Sequence, residues 1–91
     1  MRRKPEPIWH ECLPLDAVDR VTFFKRDEIT TDLICCDVHS GSLVWFCHEE
    51  DPSWPSLLEH LGALPGFDMN WFAKVSQPPF SASETIAWQK G

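Results

Sequence analysis

The sequence predicts an α+β fold: an antiparallel sheet of about four strands, in the order β-β-β-α-α-β, with two short helices packed on one face. Three observations carry this prediction. The stretch Ile29 to His48, ITTDLICCDVHSGSLVWFCH, sets two runs rich in Val, Ile, Phe and Trp around a small polar cluster at Asp37 and His39 to Ser42, the composition of a β-hairpin. A leucine stripe at Leu57, Leu61 and Leu64, at spacings of four and three, follows Pro55 and marks a helix. Strand-like segments come first and helical ones after, with hairpin-length connections, which gives a sheet with its helices segregated to one side.

The elements follow in order. Residues 1–7 hold two prolines and no periodicity and are predicted to be a disordered tail, leaving 8–91 as a single domain. Ile8 to Leu15 is apolar but irregular and interrupted by Pro14, which predicts an extended arm or short edge strand. Val18 to Lys25 is β-branched and aromatic, and a charged turn at Arg26, Asp27 and Glu28 pairs it with Ile29 to Val38. An even loop there puts Val21 and Phe23 on the face of Cys36, and Phe24 on the face of Cys35. An odd loop swaps them.

Within the hairpin, Ser40-Gly41 as a two-residue loop sets His39 opposite Ser42, Val38 opposite Leu43, Cys36 opposite Trp45 and Ile34 opposite Cys47. One face then carries Ile34, Cys36, Val38, Leu43, Trp45 and Cys47. The other carries Leu33, Cys35, Asp37, Val44, Phe46 and His48. Trp54 precedes a proline, so Pro55 is expected to open the helix, with Gly62 or Pro65-Gly66 ending it. Leu61 is then central and packs on Trp45, with His60 on the opposite side. Asp68 caps a second helix, Met69 to Val75, which Gln77-Pro78-Pro79 ends. Phe80 anchors the next loop, and Glu84 to Gln89 alternates as a last strand with Ile86 and Trp88 on one side.

At 91 residues the chain buries roughly 60–65% of its unfolded surface, so stability is modest and a partner subunit would add to it. Five Trp and six Phe supply large core pieces. The net charge of −6 opposes phosphate backbones and anionic lipid, and the only basic run, Arg2, Arg3 and Lys4, reads as a solvated end. Neither a membrane span nor a signal-peptide core is present, which predicts a cytoplasmic protein whose four cysteines are reduced, with no two of them directly opposite in the hairpin.

From Leu57 to Trp88, the runs LLEHLGALPGFDMNWF, KVSQPPF and TIAW follow one another. They resemble the C-terminal part of small bacterial proteins with no assigned activity, in which a leucine helix, a Pro-Gly stop, a Trp-Phe helix and a Pro-Phe loop lead to a final strand. The resemblance covers about the last third of the chain. It implies a bacterial, cytosolic protein and brings no catalytic residue with it.

Candidate chemistry is sparse. Four Cys and four His suggest a metal, but there is no Cys-x-x-Cys pair and no His-x-x-x-His. Strand alternation gives each face two ligands, Cys36 with Cys47 and Cys35 with His48, and only the arm bearing His10 and Cys12 can complete a set. The expectation is core cysteines and no metal. Asp37, His39 and Ser42 at the hairpin tip sketch a hydrolytic triad without an oxyanion hole or a dry pocket, so turn chemistry is the better reading. The acidic groups Glu49-Glu50-Asp51 and Asp27-Glu28 read as solvated strand ends, and the scattered glycines form no phosphate loop. Phe24 and Phe46 suit base stacking but lack a cationic groove.

The expected function is a small non-enzymatic interaction module without a cofactor, a homodimer through an apolar sheet face of Phe24, Leu33, Cys35, Val44 and Phe46. The competing cover for that face is Ile8 to Leu15 folded back on it. The alternative function is a small-molecule binder or enzyme with a pocket between sheet and helices.

Overall fold

The computed structural model describes residues 9–27, 32–76 and 83–90. The predicted tail at 1–7, the tip of the first hairpin and the Gln77 to Phe80 loop lie outside these residues. The strands are β1 (Arg20–Asp27), β2 (Asp32–Ser40), β3 (Leu43–His48) and β4 (Ser83–Gln89), in one antiparallel sheet ordered β3-β2-β1-β4. The α+β class, the antiparallel sheet and the two helices between β3 and β4 stand as predicted. β1 pairs with β2 from Arg20↔His39 to Asp27↔Asp32, the even-loop arrangement, so Val21 and Phe23 share a face with Val38 and Cys36.

The second hairpin is shifted by two residues from its predicted register. Ser40 pairs with Leu43, Val38 with Trp45 and Cys36 with Cys47, so Gly41-Ser42 is the loop. Gly41 takes φ 61°. Both hairpin turns that match strand twist need positive φ at the first loop position, and glycine meets that without steric cost. A shift of two leaves every side chain on its predicted face. It does bring Cys36 and Cys47 directly opposite each other, contrary to the prediction.

Residues Trp9–Cys12 form a short helix, α1, and Leu15–Ala17 a 3-10 turn. This replaces the predicted arm. Trp9 and Leu13 are four apart, so one helical turn points both inward, and both are buried. Trp9 Nε1 donates to Ser56 Oγ at 3.1 Å, which docks α1 on helix α2 (Trp54–Leu61). Trp54 itself begins α2, one residue ahead of Pro55, and Gly62 ends it. Leu57, Leu61 and Leu64 are buried as the stripe predicts, and so is His60. At 100° per residue His60 flanks the stripe rather than opposing it. α1 covers that flank, and His60 Nε2 donates to the Leu13 carbonyl at 2.7 Å.

Leu64-Pro65-Gly66-Phe67 closes with Phe67 N donating to the Leu64 carbonyl at 3.2 Å. Proline followed by Gly66 at φ 78° is the sequence of a type II turn. Helix α3 runs Trp71–Val75, shorter than predicted, with Asn70 rather than Asp68 at its cap position. Asp68 instead accepts from Asn70 N at 2.9 Å and from Lys74 Nζ. Those two bonds, Lys74 first, hold its carboxyl below the usual carboxylate range. α3 ends on the sheet: Lys25 Nζ donates to the Ser76 carbonyl at 2.9 Å and Ser83 Oγ to that of Val75. Lys25 and Ser83 pair across β1 and β4. A buried lysine thus meets the electronegative end of a helix, where cations are favoured.

β4 departs from prediction at a register shift beside Val21 and Thr22: Trp88 pairs with Val21, but Ile86 pairs with Thr22. The extra residue in β4 sends Trp88 to the helix side and Ile86 to the other. The core gathers Phe23, Val21, Val38, Cys36, Leu57, Leu61 and Val75, with Trp45 packed against it. Phe23 is its centre. Trp71 stacks on it at 3.7 Å between ring centroids and 11° between planes, and Trp54 and Phe67 approach edge-on at 6.1 and 6.3 Å.

Phe23→Ala is expected to cost about 3–5 kcal/mol and Leu61→Ala about 2–5 kcal/mol, since each leaves a cavity. His60→Ala is expected to cost about 1–3 kcal/mol, because it strands a buried carbonyl. Urea unfolding of the three variants checks the ranking. A neutral His60→Ala would show that α1 is not held through this bond.

Candidate interaction surface

Alternation along the strands writes the open face as a grid. One row is Ile86, Thr22, Asp37, Phe46, the next Glu84, Phe24, Cys35, His48, and a third Gln89, Arg20, His39, Val44, with Arg26 and Leu33 paired at the far end. The sequence-predicted residues Phe24, Leu33, Cys35, Val44 and Phe46 therefore do share one face. They are unequal in exposure: Val44 is 53% exposed and Phe46 49%, Phe24 and Leu33 are half-buried, and Cys35 is fully buried.

The geometry accounts for the buried cysteine. Phe24 on β1 and Phe46 on β3 flank β2, and their rings meet at 6.1 Å, tilted by 40°. They form a roof over the central strand at Cys35, whose thiol turns to the Leu33 carbonyl at 3.7 Å. Cys35 fills space beneath the rings and offers no contact area. Ile86, 48% exposed, joins the face from β4. Sequence reasoning assigned it to the side of Trp88, and only the strand irregularity relocates it.

Polar groups are interleaved with the apolar ones: Arg20, Arg26, Asp37 and Glu84 lie on the same face. His48 ends it in a local turn, its Nδ1 accepting from Glu50 N at 3.2 Å and Asp51 Oδ2 accepting from His48 N at 3.0 Å. Glu49 is more than a solvated charge. Its carboxylate accepts from Ile34 N at 3.0 Å, while its own N–H donates to the Ile34 carbonyl, extending the β2–β3 ladder.

Of the segment proposed as a competing cover, Trp9 and Leu13 belong to the helix-side core and Leu15 packs against it. Among the described residues, then, α1 and the 3-10 turn leave the open face uncovered. Ser42 lies in the turn and His39 pairs with Val44, so the triad geometry drawn at the hairpin tip does not form. Among the described residues no three His, Cys, Asp or Glu side chains gather as a metal site. No helix there is long and apolar enough to cross a membrane.

None of the four cysteines is in a disulfide, and Cys12 is the exposed one. Burial pushes the Cys36 thiol up, helped by Cys47 and Asp37 beside it, and burial also raises Cys47. Both are neutral thiols at neutral pH. Their folded values lie above the unfolded ones, so the stability they contribute is complete below about pH 8.5 and is lost as pH rises beyond it. Native protein at pH 7.5 is expected to give one rapidly reacting thiol with a disulfide reagent, the other three reacting only in denaturant, and Cys12→Ser is expected to remove the rapid one. Rapid reaction of a second thiol would contradict the burial of Cys35, Cys36 and Cys47.

No family model, curated protein or solved structure matches this chain.

Proposed function

We propose that this chain is a small non-enzymatic interaction module that self-associates through the open face of its sheet. The observation that carries the reading is the set of exposed apolar side chains at Val44 and Phe46 on one edge strand and Ile86 on the other, with half-buried Phe24 and Leu33 on the strands between, on the face opposite the helices. Large apolar side chains gathered on one exposed face favour an interaction site over a chance scatter of single residues.

A second copy suits the face because its charges are mixed. Arg26 lies with Asp37 and Glu84 on one surface, so a two-fold axis can be placed to set the arginine of one protomer against a carboxylate of the other. Burying a large apolar side chain contributes roughly 1.5–3 kcal/mol before the costs of association, and three per protomer support a micromolar dimer. A cytoplasmic, bacterial setting, as the C-terminal resemblance implies, is part of the same reading. The alternative of a ligand pocket between sheet and helices is weaker, because that space holds the stacked Phe23, Trp71 and Trp54.

Sedimentation velocity tests this. Wild type is expected to sediment as a dimer at tens of micromolar, and Phe46→Lys as a folded monomer. A monomeric wild type overturns the proposal, and a dimer that survives the lysine places the interface on another surface.

A further inference from the structure

We propose that the depression at one end of the open face, lined by Asp19, Arg20, His39, Gly41, Gln89 and Lys90, is a binding site for a small oxyanion of the phosphate or phosphomonoester class. Arg20 carries the argument. Its Nε is shielded from solvent and has no hydrogen-bond partner. A buried N–H of this kind is costly to leave unsatisfied, and in native proteins it calls for a specific explanation. Arg20 lines the depression, and a side-chain shift that uncovers its Nε–H lets the planar fork of donors meet two oxygens of an oxyanion at once.

The neighbours of Arg20 suit the same ligand. Gln89 and His39 flank it in one row across the sheet, both able to donate, and Lys90 adds a second fixed cation. Asp19 is the one acidic residue lining the depression, and its Oδ2 accepts from the N–H of Gly41, also in the lining, at 2.7 Å. The walls are tied together by backbone bonds: Asp19 N donates to the His39 carbonyl and Lys90 N to that of Asp19, each at 2.8 Å. These bonds join the start of β1, the β2–β3 turn and the end of β4. A site held in place before its ligand arrives spends less binding energy on ordering itself.

Charge selects the class. Arg20 and Lys90 match a dianion better than a monocarboxylate. Beyond the depression the chain carries a net −6, which disfavours a long polyanion while leaving a small one free to enter. The inference does not depend on self-association, although Arg20 belongs to the same sheet face.

The test is an NMR titration of the full chain with inorganic phosphate and with glycerol phosphate, using sodium chloride at matched ionic strength as reference. Saturable shifts are expected at the amides of Arg20, His39, Gly41 and Lys90 and at the Arg20 Nε–H. Arg20→Gln is expected to weaken binding roughly tenfold or more, as loss of a charge-assisted pair implies, with a smaller loss in Lys90→Gln and none in Arg26→Gln. Tighter binding of glycerol phosphate than of phosphate identifies a phosphomonoester ligand, and equal binding identifies the oxyanion alone. Arg20→Lys, which keeps the charge and loses the fork, serves if the glutamine variant does not fold. Repeating the titration on Phe46→Lys separates this site from the dimer. Shifts equal to those with chloride, or unchanged affinity in both Arg20 variants, overturn the proposal.

Discussion

On the helix side of the sheet, aromatic rings from α2, α3 and the turn between them converge on one ring. Phe23 sits in β1, an inner strand, and takes a stacked contact from Trp71 of α3 and edge contacts from Trp54 of α2 and Phe67 of the intervening turn. α3 has five residues, far too few to be helical alone, since isolated helices shorter than about 12 residues are marginal in water. Its helicity depends on what it touches: the Phe23 ring at one end and the Lys25 and Ser83 side chains at the other. Two of those three groups lie two residues apart on β1, so one strand dictates both where α3 packs and where it stops.

The strand order reinforces this dependence. With β1 and β2 inside and β3 and β4 at the edges, the inner strands must be filled on both faces. That explains why Thr22 and Cys35, which point away from the helices, are buried nonetheless. The two faces are filled by different means. Helices cover one of them. On the other, Phe24 and Phe46 lean together over β2, which shields the middle of the sheet and leaves the outer edges of the rings, with Val44 and Ile86, facing outward. The self-association reading and the oxyanion site both arise on this second face, one from its apolar centre and the other from its polar end.

Bonds that close the molecule are long-range and use groups that look unremarkable in sequence. Asp19 binds the β2–β3 turn through Gly41 and the end of β4 through Lys90. Trp88 Nε1 donates to the Pro65 carbonyl at 2.7 Å, and Asp68 N to that of Ala87 at 2.9 Å. Together they seat β4 against β1 and the turns at its two ends, although the helices separate the two strands in the chain.

The fold class, the strand and helix order, and the faces of β1, β2 and β3 were legible in the sequence, because alternation and the leucine stripe are local and each is repeated over several residues. Parity protected the faces even where the hairpin register slipped by two, moving Cys36 opposite Cys47. What local pattern could not supply was decided by tertiary contact. His60 reads as a solvent-facing helix residue until α1 is laid beside it and offers the Leu13 carbonyl. Ile86 and Trp88 read as neighbours on one face until pairing with β1 forces an extra residue between them. Cys35 reads as exposed until two phenylalanines from flanking strands close over it. Arg20 reads as an ordinary strand cation until its Nε is shielded without a partner. For His60, Ile86 and Cys35 the deciding group comes from another element, and a sequence records which groups exist but not the distance between them.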